Sequence, residues 1–538
     1  MNQKAQFGNA ILTLGLAVTA GLAAAQVAYS TRLGLWAQSD SAVYLAAARN
    51  LLAGQGLQVV QPSGQIAVLM PPLYSLKLAG LGWLGFDMLN AARWLNVILA
   101  FTSILLFGWV LLHFGRMRWL ALAGALLLAL FPVIVEMYSG LMTEALYLTL
   151  MLFGFGALLA YLDNGSRAWL AVAALAAGLG VLTRFVGIVF LPSGVLAVLL
   201  LGRAAWRRRV GDLLLFSAAS MLPVAAWMVW LSLSPDPSTA LGVPEWSNPW
   251  AYLAPVRNGF FHTLWSWLPF ADALPRDTKL LRLATVLAAL LLPALAAWGA
   301  RRLLGKRPRA WLGDRDARLA GLAAISIASF IIGFVLIYLF RNPPQDVDRR
   351  TLLPLFPLIL FLTLATASLW LRGFSGRSRA AAQLVCAVLL AACAAYLPAN
   401  WQRMQDLHAN GRGYSSPGWQ NSAILAALED VPPEMTRVSN DNGALLYFTG
   451  RTALEVRERF RDTPAQEFTR FGDEPGDDVQ ALFREGKAVL VLFMPQFYWQ
   501  LEPVYGEQTG ARIDAMLAGL EPLYEGADGG IYRYPRVP

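Results

Sequence analysis

Moving a proton from an acceptor while an anionic group departs requires a carboxylate that can take the proton and cations that can hold the anion. The first carboxylate of interest is Asp40, in WAQSDSAVYLAAARNLLAGQGLQVVQPSGQIAVLMPPLYSLKL from Trp36 to Leu78. It stands at the foot of a short amphipathic helix in which Val43, Ala47 and Leu51 share a face and Gly54 supplies the stop, a helix expected to lie along a membrane surface. A helix cap formed with Ser39 explains an acid there equally well. The second is Glu144, in SGLMTEALYLTLML, just inside an apolar helix. Placed centrally in lipid it would cost about 2.5 to 3.5 kcal/mol, and much less if Thr143-Glu144 is merely an interfacial helix start.

The cations are Arg349 and Arg350 in NPPQDVDRRTLLPLFPL, Arg184 between two nearly continuous apolar runs, and Lys77. An arginine fork grips a phosphate through two parallel hydrogen bonds, although interfacial arginines also snorkel to headgroups. Asp346 and Asp348 spell DxD, a pattern associated with metal-held nucleotide sugars; Arg349 and Arg350 would neutralise them, so they are read as structural, with a metal role as the alternative.

The elements that must position these groups are membrane helices. Of the 538 residues 57% are hydrophobic and only 14% charged, which excludes an ordinary soluble fold. About eleven apolar spans are expected, near 10–29, 92–112, 118–135, 143–162, 168–183, 186–201, 212–231, 280–299, 319–339, 352–371 and 380–398. The net charge of +9 comes from arginines clustered in short connectors: Arg116/Arg118, Arg203 with Arg207 to Arg209, the run Arg301 to Arg318, and Arg372/Arg377/Arg379. That pattern suits cytoplasmic loops rather than nucleic-acid binding. The N-terminus, with Lys4, falls on the same side, and an odd number of spans puts the tail opposite. The outer side then holds loops 30–91, 232–279 and 341–351. Ala23-x-Ala25 resembles a signal-peptidase site, but the apolar run is long and is read as an uncleaved span.

Residues 1–399 are thus expected to form the membrane domain and 400–538 a soluble extracytoplasmic α/β domain, with strands at Arg437-Val438-Ser439, Ala488–Phe493 and Gly530–Tyr534 and a helix over Gly443–Thr449. Helices on both faces of the sheet are the natural arrangement. Cys386 and Cys393 lie seven apart on one helix, roughly 10 Å along its axis, too far for a disulfide. His113, His262 and His408 have no ligand spacing. The tail has neither GxGxxG nor a P-loop.

Several stretches together resemble the GT-C superfamily of polytopic glycosyltransferases, in the branch of protein O-mannosyltransferases, the aminoarabinose transferases that modify lipid A, and RgtA/B/C/D-like enzymes. They are SDSAVYLAAARNLLAG after the first span, MPPLYSLKLAGL before the second, SGLMTEALYL, GLGVLTRFVGIVFLP, DRRTLLPLFPLILFL and, in the tail, RVSNDNGALLYFTGR. The resemblance implies an inverting transfer of a sugar from a polyprenyl-phosphate donor to a hydroxyl or amine on a lipid, glycan or protein, at the outer face of a bacterial inner membrane. It implies Asp40 as the base, Glu144 as a second acid, and Arg349 or Arg350 as a contact to the donor phosphate. Arg184 and Lys77 are further phosphate candidates. Many relatives carry Lys, His or Glu before the Pro-Pro where this chain has Met70, which leaves that position without a phosphate or metal role. No cofactor is certain, and a divalent cation stays open. A lipid or glycan transporter or flippase would need acids or broken helices near the bilayer midplane, whereas the acids here lie at span ends; a non-catalytic scaffold on the same fold is the other alternative.

Overall fold

A computed structural model describes residues 3–61, 64–67, 70–233, 249–269, 312–340, 347–373, 378–456, 482–483 and 485–535. Helix α1 (Gln3–Ser30) leads to α2 (Ser39–Leu52), a hairpin of β1 (Gln58–Gln61) and β2 (Gly64–Ala67), and α3 (Leu73–Trp83). Then come α4 (Met88–Phe114), α5 (Trp119–Leu130) and α6 (Pro132–Tyr138), the last two bent by 61° where Pro132 cannot continue the backbone ladder. Helices α7 (Glu144–Asn164), α8 (Arg167–Thr183), α9 (Phe190–Leu201) and α10 (Trp206–Ser232) follow. After these are α11 (Pro249–Ser266), α12 (Arg315–Phe340), the single turn α13 (Arg349–Leu352), α14 (Leu355–Gly373) and α15 (Ser378–Asn410).

Seven of these helices, α1, α4, α7, α10, α12, α14 and α15, are long and apolar enough to cross a membrane alone; α5 and α6 qualify as one bent pair, and α8 and α9 are shorter apolar helices. The chain is therefore a multi-pass membrane protein. The span expected at 280–299 lies outside the described residues. Helices α8 and α9 are not one long rod: Arg184 is extended and a 3-10 turn, Phe185–Val189, separates them. Inside the bundle Phe361 stacks on Phe107 at 4.4 Å and on Phe155 at 4.8 Å, tying α14 to α4 and α7 with about 0.5–1.5 kcal/mol per ring pair beyond simple burial.

The connectors rich in arginine meet at one end of the bundle. Arg372 pairs with Asp314 at 2.7 Å and Asp316 at 2.6 Å, Arg116 with Asp314 at 3.5 Å, and Arg318 with Asp163 at 2.5 Å. Arg167 joins Asp212 at 2.7 Å, and Arg203 donates to the Leu312 carbonyl. Loops widely separated in sequence are thereby latched together on a single side, as an alternating series of crossings requires.

Beyond the bundle, α15 runs through Pro398 to Asn410, so the residues just past 400 are helical. A five-stranded sheet then forms from β3 (Thr436–Ser439), β4 (Leu454–Glu455), β5 (Ala488–Phe493), β6 (Glu521–Gly526) and β7 (Gly529–Arg533), in the order β4-β3-β5-β7-β6. The strand β3 is parallel to β4 and β5; β7 is antiparallel to β5 and β6. The two-residue period of β5 divides its side chains. Val489 and Val491 face a cluster with Ala444 and Leu445 of α16 (Asn442–Thr449), whereas Leu490 and Leu492 face Phe497 of α17 (Met494–Tyr505) and Ile513 and Met516 of α18 (Thr509–Leu517).

The face of α2 expected to rest on a membrane surface is instead packed within the protein. Ala47 is buried, Val43 and Leu51 are half-buried, and all three join the cluster that α16 shares with the sheet. The contact depends on Gly443, where an added Cβ would meet the Tyr414 hydroxyl at 2.5 Å and the Ser39 Cα at 2.8 Å. Backbone cannot yield as a flexible side chain does. Gly443→Ala is therefore expected to loosen the docking of α16 on α2 at a cost of about 1–3 kcal/mol, read as faster limited proteolysis of the C-terminal region with the membrane helices still protected.

Candidate active site

At the end of the bundle opposite the arginine latches, four loops converge because Trp36 fastens the first to the second. The Trp36 amide donates to the Ser139 carbonyl at 2.9 Å, the Leu141 amide donates to the Trp36 carbonyl at 2.8 Å, and the indole Nε1 donates to the Glu136 carbonyl at 2.6 Å. Gly140 permits this approach, since a Cβ there would lie 2.5–2.9 Å from the indole. The chain after α1 is thus pinned against the α6–α7 connector, four residues before Asp40 and next to Glu144.

Asp40 is the second residue of α2, but it does not cap the helix; Gln38 and Ser41 do that. Its Oδ2 accepts from Arg350 Nη2 at 3.1 Å. Arg350 also donates through Nε to Glu144 Oε1 at 2.8 Å, so one guanidinium spans the two acids. Arg350 is aimed by the turn α13, whose N-cap Asp348 accepts from the Thr351 amide at 2.9 Å. Arg184, released from the helix by the break after α8, reaches Glu144 Oε1 at 2.5 Å and the Thr143 hydroxyl at 2.9 Å. Burial works against the Arg350 charge, but Glu144 and then Asp40 outweigh it and hold its pKa above the ordinary value.

Exposure separates the two acids. The Asp40 side chain is 34% exposed and that of Glu144 only 1%. Glu144 begins α7, where the helix dipole favours a carboxylate, and its Oε2 has no hydrogen-bond partner among the described residues. Two tyrosines form the wall beside the acids, Tyr44 against Tyr74 with ring centroids 5.2 Å apart. Burial first, and then the Asp40 charge, push the Tyr44 phenol up, which keeps it neutral.

Arg349 does not join this cluster. It lines a polar cavity on the far side of Arg350, and no hydrogen bond or ion pair joins it to another described residue. Lys77 is not brought to the acids either: its Nζ is buried, without a hydrogen-bond partner among the described residues, 3.8 Å from the centroid of the Tyr74 ring. Burial pushes the Lys77 ammonium down from 10.5 to about 7. A depressed amine penalises the fold fully below about pH 7 and ceases to do so as pH rises to 10.5. Lys77→Met is accordingly expected to raise the melting temperature most below neutral pH, with a gain that fades toward pH 10.5 in a series of thermal melts.

The acids do not suit a divalent cation. Asp40 and Glu144 share a guanidinium, and a metal between them would face both Arg350 and Arg184. Asp348 is committed to its cap, and Asp346 lies outside the described residues. Among the described residues no group of three or more His, Cys, Asp or Glu could hold a metal. A separate apolar cavity of about 330 Å³ opens between α11 and α12, walled by Val256, Phe260, Phe330 and Phe334, and can take a hydrocarbon chain.

Sequence reasoning missed Glu136, Arg403 and Arg412. Glu136 is buried, accepts from Arg412 and sits 3.6 Å from Arg403. The signal for it was a lone acid in the apolar run FPVIVEMYSG.

No protein-family model and no curated protein matches the chain. Among solved structures it is similar to the crystal structure of ArnT from Cupriavidus metallidurans bound to undecaprenyl phosphate, with TM-score 0.53 and 15% identity over 98% of each chain. It is also similar to the archaeal oligosaccharyltransferase AglB from Archaeoglobus fulgidus in complex with an inhibitory peptide and a dolichol phosphate, with TM-score 0.55 and 13% identity over 98% of this chain and 75% of that one. The Archaeoglobus fulgidus oligosaccharyltransferase in complex with Zn and sulfate gives TM-score 0.51 and 15% identity over 96% of this chain and 74% of that one. At such identities the likeness establishes the fold: the chain has the GT-C architecture.

Proposed function

We propose that this GT-C-fold membrane protein transfers a sugar from a polyprenyl-phosphate donor to a hydroxyl or amine, with inversion and with Asp40 as the base. The observation that carries the reading is the bridge from Asp40 through Arg350 to Glu144 and Arg184. Asp40, the accessible acid, takes the proton of the acceptor as its oxygen or nitrogen forms the new bond to the anomeric carbon. The bond from that carbon to the phosphate oxygen breaks, and the polyprenyl phosphate leaves with the electron pair. Arg350, beside Asp40, is the cation that meets the departing charge. Lys77, whose buried amine has no hydrogen-bond partner among the described residues, is a further contact for the donor phosphate. Glu144 touches no substrate in this scheme. It positions, holding Arg350 and Arg184 so that Arg350 presents Asp40 in one orientation.

ArnT and AglB, which share the fold, are described with undecaprenyl phosphate and dolichol phosphate bound; together with the apolar cavity this supports a lipid-linked donor here. The positive-inside rule assigns the arginine-latched end to the cytoplasm and the Asp40 end, with the α/β domain, to the outer face. Mass spectrometry of envelope glycolipids and glycoproteins tests the reading in cells with the gene deleted, then restored as wild type or as Asp40→Asn. The expected result is a sugar modification lost on deletion and returned by wild type alone; its return with Asp40→Asn would overturn the assignment.

A further inference from the structure

The cavity on the far side of Arg350 encloses about 380 Å³ and is polar, unlike the apolar one between α11 and α12. Its walls come from Trp36, Glu136, His262 on α11, Arg349 on α13, Arg403 on α15 and Arg412 just beyond α15. Glu136 is 6% exposed and among the described residues is the one carboxylate for two guanidiniums, accepting from Arg412 through Oε1 and lying 3.6 Å from Arg403 through Oε2. A clamp that merely tied α15 to α6 would need a single arginine. The second carboxylate on the wall, Asp348, is turned to the Thr351 amide and hydroxyl, and Arg350 spends its charge on Asp40 and Glu144 from the opposite face. With Arg350 committed to Asp40 and Glu144, three guanidiniums, those of Arg349, Arg403 and Arg412, stand against two carboxylates around this space among the described residues, and the Arg412 side chain is 49% exposed.

An excess of guanidinium around a walled, polar space is the arrangement that recognises a tetrahedral or planar oxyanion. Its lining is more polar than apolar, which suits an anion better than the hydrocarbon chain of a lipid-linked donor. We infer that this cavity holds a phosphate or carboxylate carried by the acceptor, gripped by Arg403 and Arg412 beside His262, with Arg350 as the partition between the anchored anion and Asp40. The inference rests on the transferase reading and adds the chemical class of the acceptor to it. Anchoring an anion away from the nucleophile converts binding energy into orientation of the group that Asp40 deprotonates.

The test uses the full chain in detergent, as wild type and as the triple variant Arg403→Gln, Arg412→Gln, Glu136→Gln, which removes the buried acid together with its partners and so leaves no unpaired charge. Acceptor is supplied as an extract of envelope glycolipids and glycans. In the variant the apparent KM for the extract is expected to rise about tenfold or more, with kcat changed less than about threefold. Inorganic phosphate should compete with the extract for wild type and not for the variant. Binding of a polyprenyl monophosphate should stay within about twofold. Phosphatase treatment of the extract abolishes its use if the anchor is a phosphate, and methyl esterification does so if it is a carboxylate; an extract indifferent to both overturns the inference. So does an unmoved KM, or a polyprenyl monophosphate affinity that falls in step with it, which would assign the cavity to the donor. Inorganic phosphate should also raise the melting temperature of wild type more than that of the variant. That readout needs no turnover, so failure of the transferase reading is seen separately from failure of the anion site.

Discussion

Asp40→Asn is expected to lower sugar transfer by about 10²- to 10⁴-fold, the contribution typical of a positioned general base. The amide keeps the size of the carboxylate and can still lie against Arg350, but it cannot take a proton. Because Glu144 retains both Arg350 and Arg184, the substitution removes only the outer member of the network. The Asp40 side chain is 34% exposed, so solvent screens its pair with Arg350 and the loss of stability should be within about 1 kcal/mol. Affinity for polyprenyl monophosphate, measured on the same purified protein, should be nearly unchanged. A variant that keeps more than about a tenth of wild-type turnover would remove Asp40 from the chemistry, and one with no measurable loss would point to a scaffold or transporter instead.

Glu144→Gln is expected to destabilise the protein by about 3–5 kcal/mol, the range for removing one partner of a buried ion pair. Its side chain is 1% exposed and serves two guanidiniums, Arg184 at 2.5 Å and Arg350 at 2.8 Å. Arg184 would be left facing a neutral amide, and Arg350 would keep only Asp40. Transfer should fall as well, although Glu144 meets no substrate, because Arg350 loses the contact that fixes its angle to Asp40. Adding Arg184→Gln removes the stranded cation, so the double variant should be less destabilised than the sum of the singles by about 0.5–3 kcal/mol. Denaturation of the four proteins in one detergent gives the cycle directly. Strict additivity would mean that Glu144 and Arg184 do not act as a unit, and a Glu144→Gln protein with an unmoved midpoint would remove the anchoring role.

The density of arginine in the connectors has a structural reason beside the topological one. Asp163, Asp212, Asp314 and Asp316 are each met by arginine from another loop, so the arginine-rich connectors latch neighbouring crossings together. Nothing in linear spacing marks these pairs. Asp316 and Arg372 are joined across a whole helix pair, and only the packing of α12 on α14 makes them neighbours.

What the sequence by itself determined was the long apolar helices among the described residues, the break at Arg184, three of the five strands of the C-terminal sheet with the helix over Gly443–Thr449, and the short list of ionisable groups stranded at helix ends. These are local properties: an apolar run has nowhere to go but lipid or core, and an acid or arginine at its end has to be satisfied by something. Which partner satisfies it is not local. Tertiary structure chose Arg350 over Arg349 as the bridge between Asp40 and Glu144, put Arg349 with Arg403 and Arg412 on another cavity, stacked Lys77 on Tyr74 away from the acids, and laid α2 under α16. Each choice turns on a few ångströms of chain placement, set by the Trp36 clamp at Gly140 and the close approach at Gly443, because ion pairing and steric exclusion fall off over distances shorter than one helix turn.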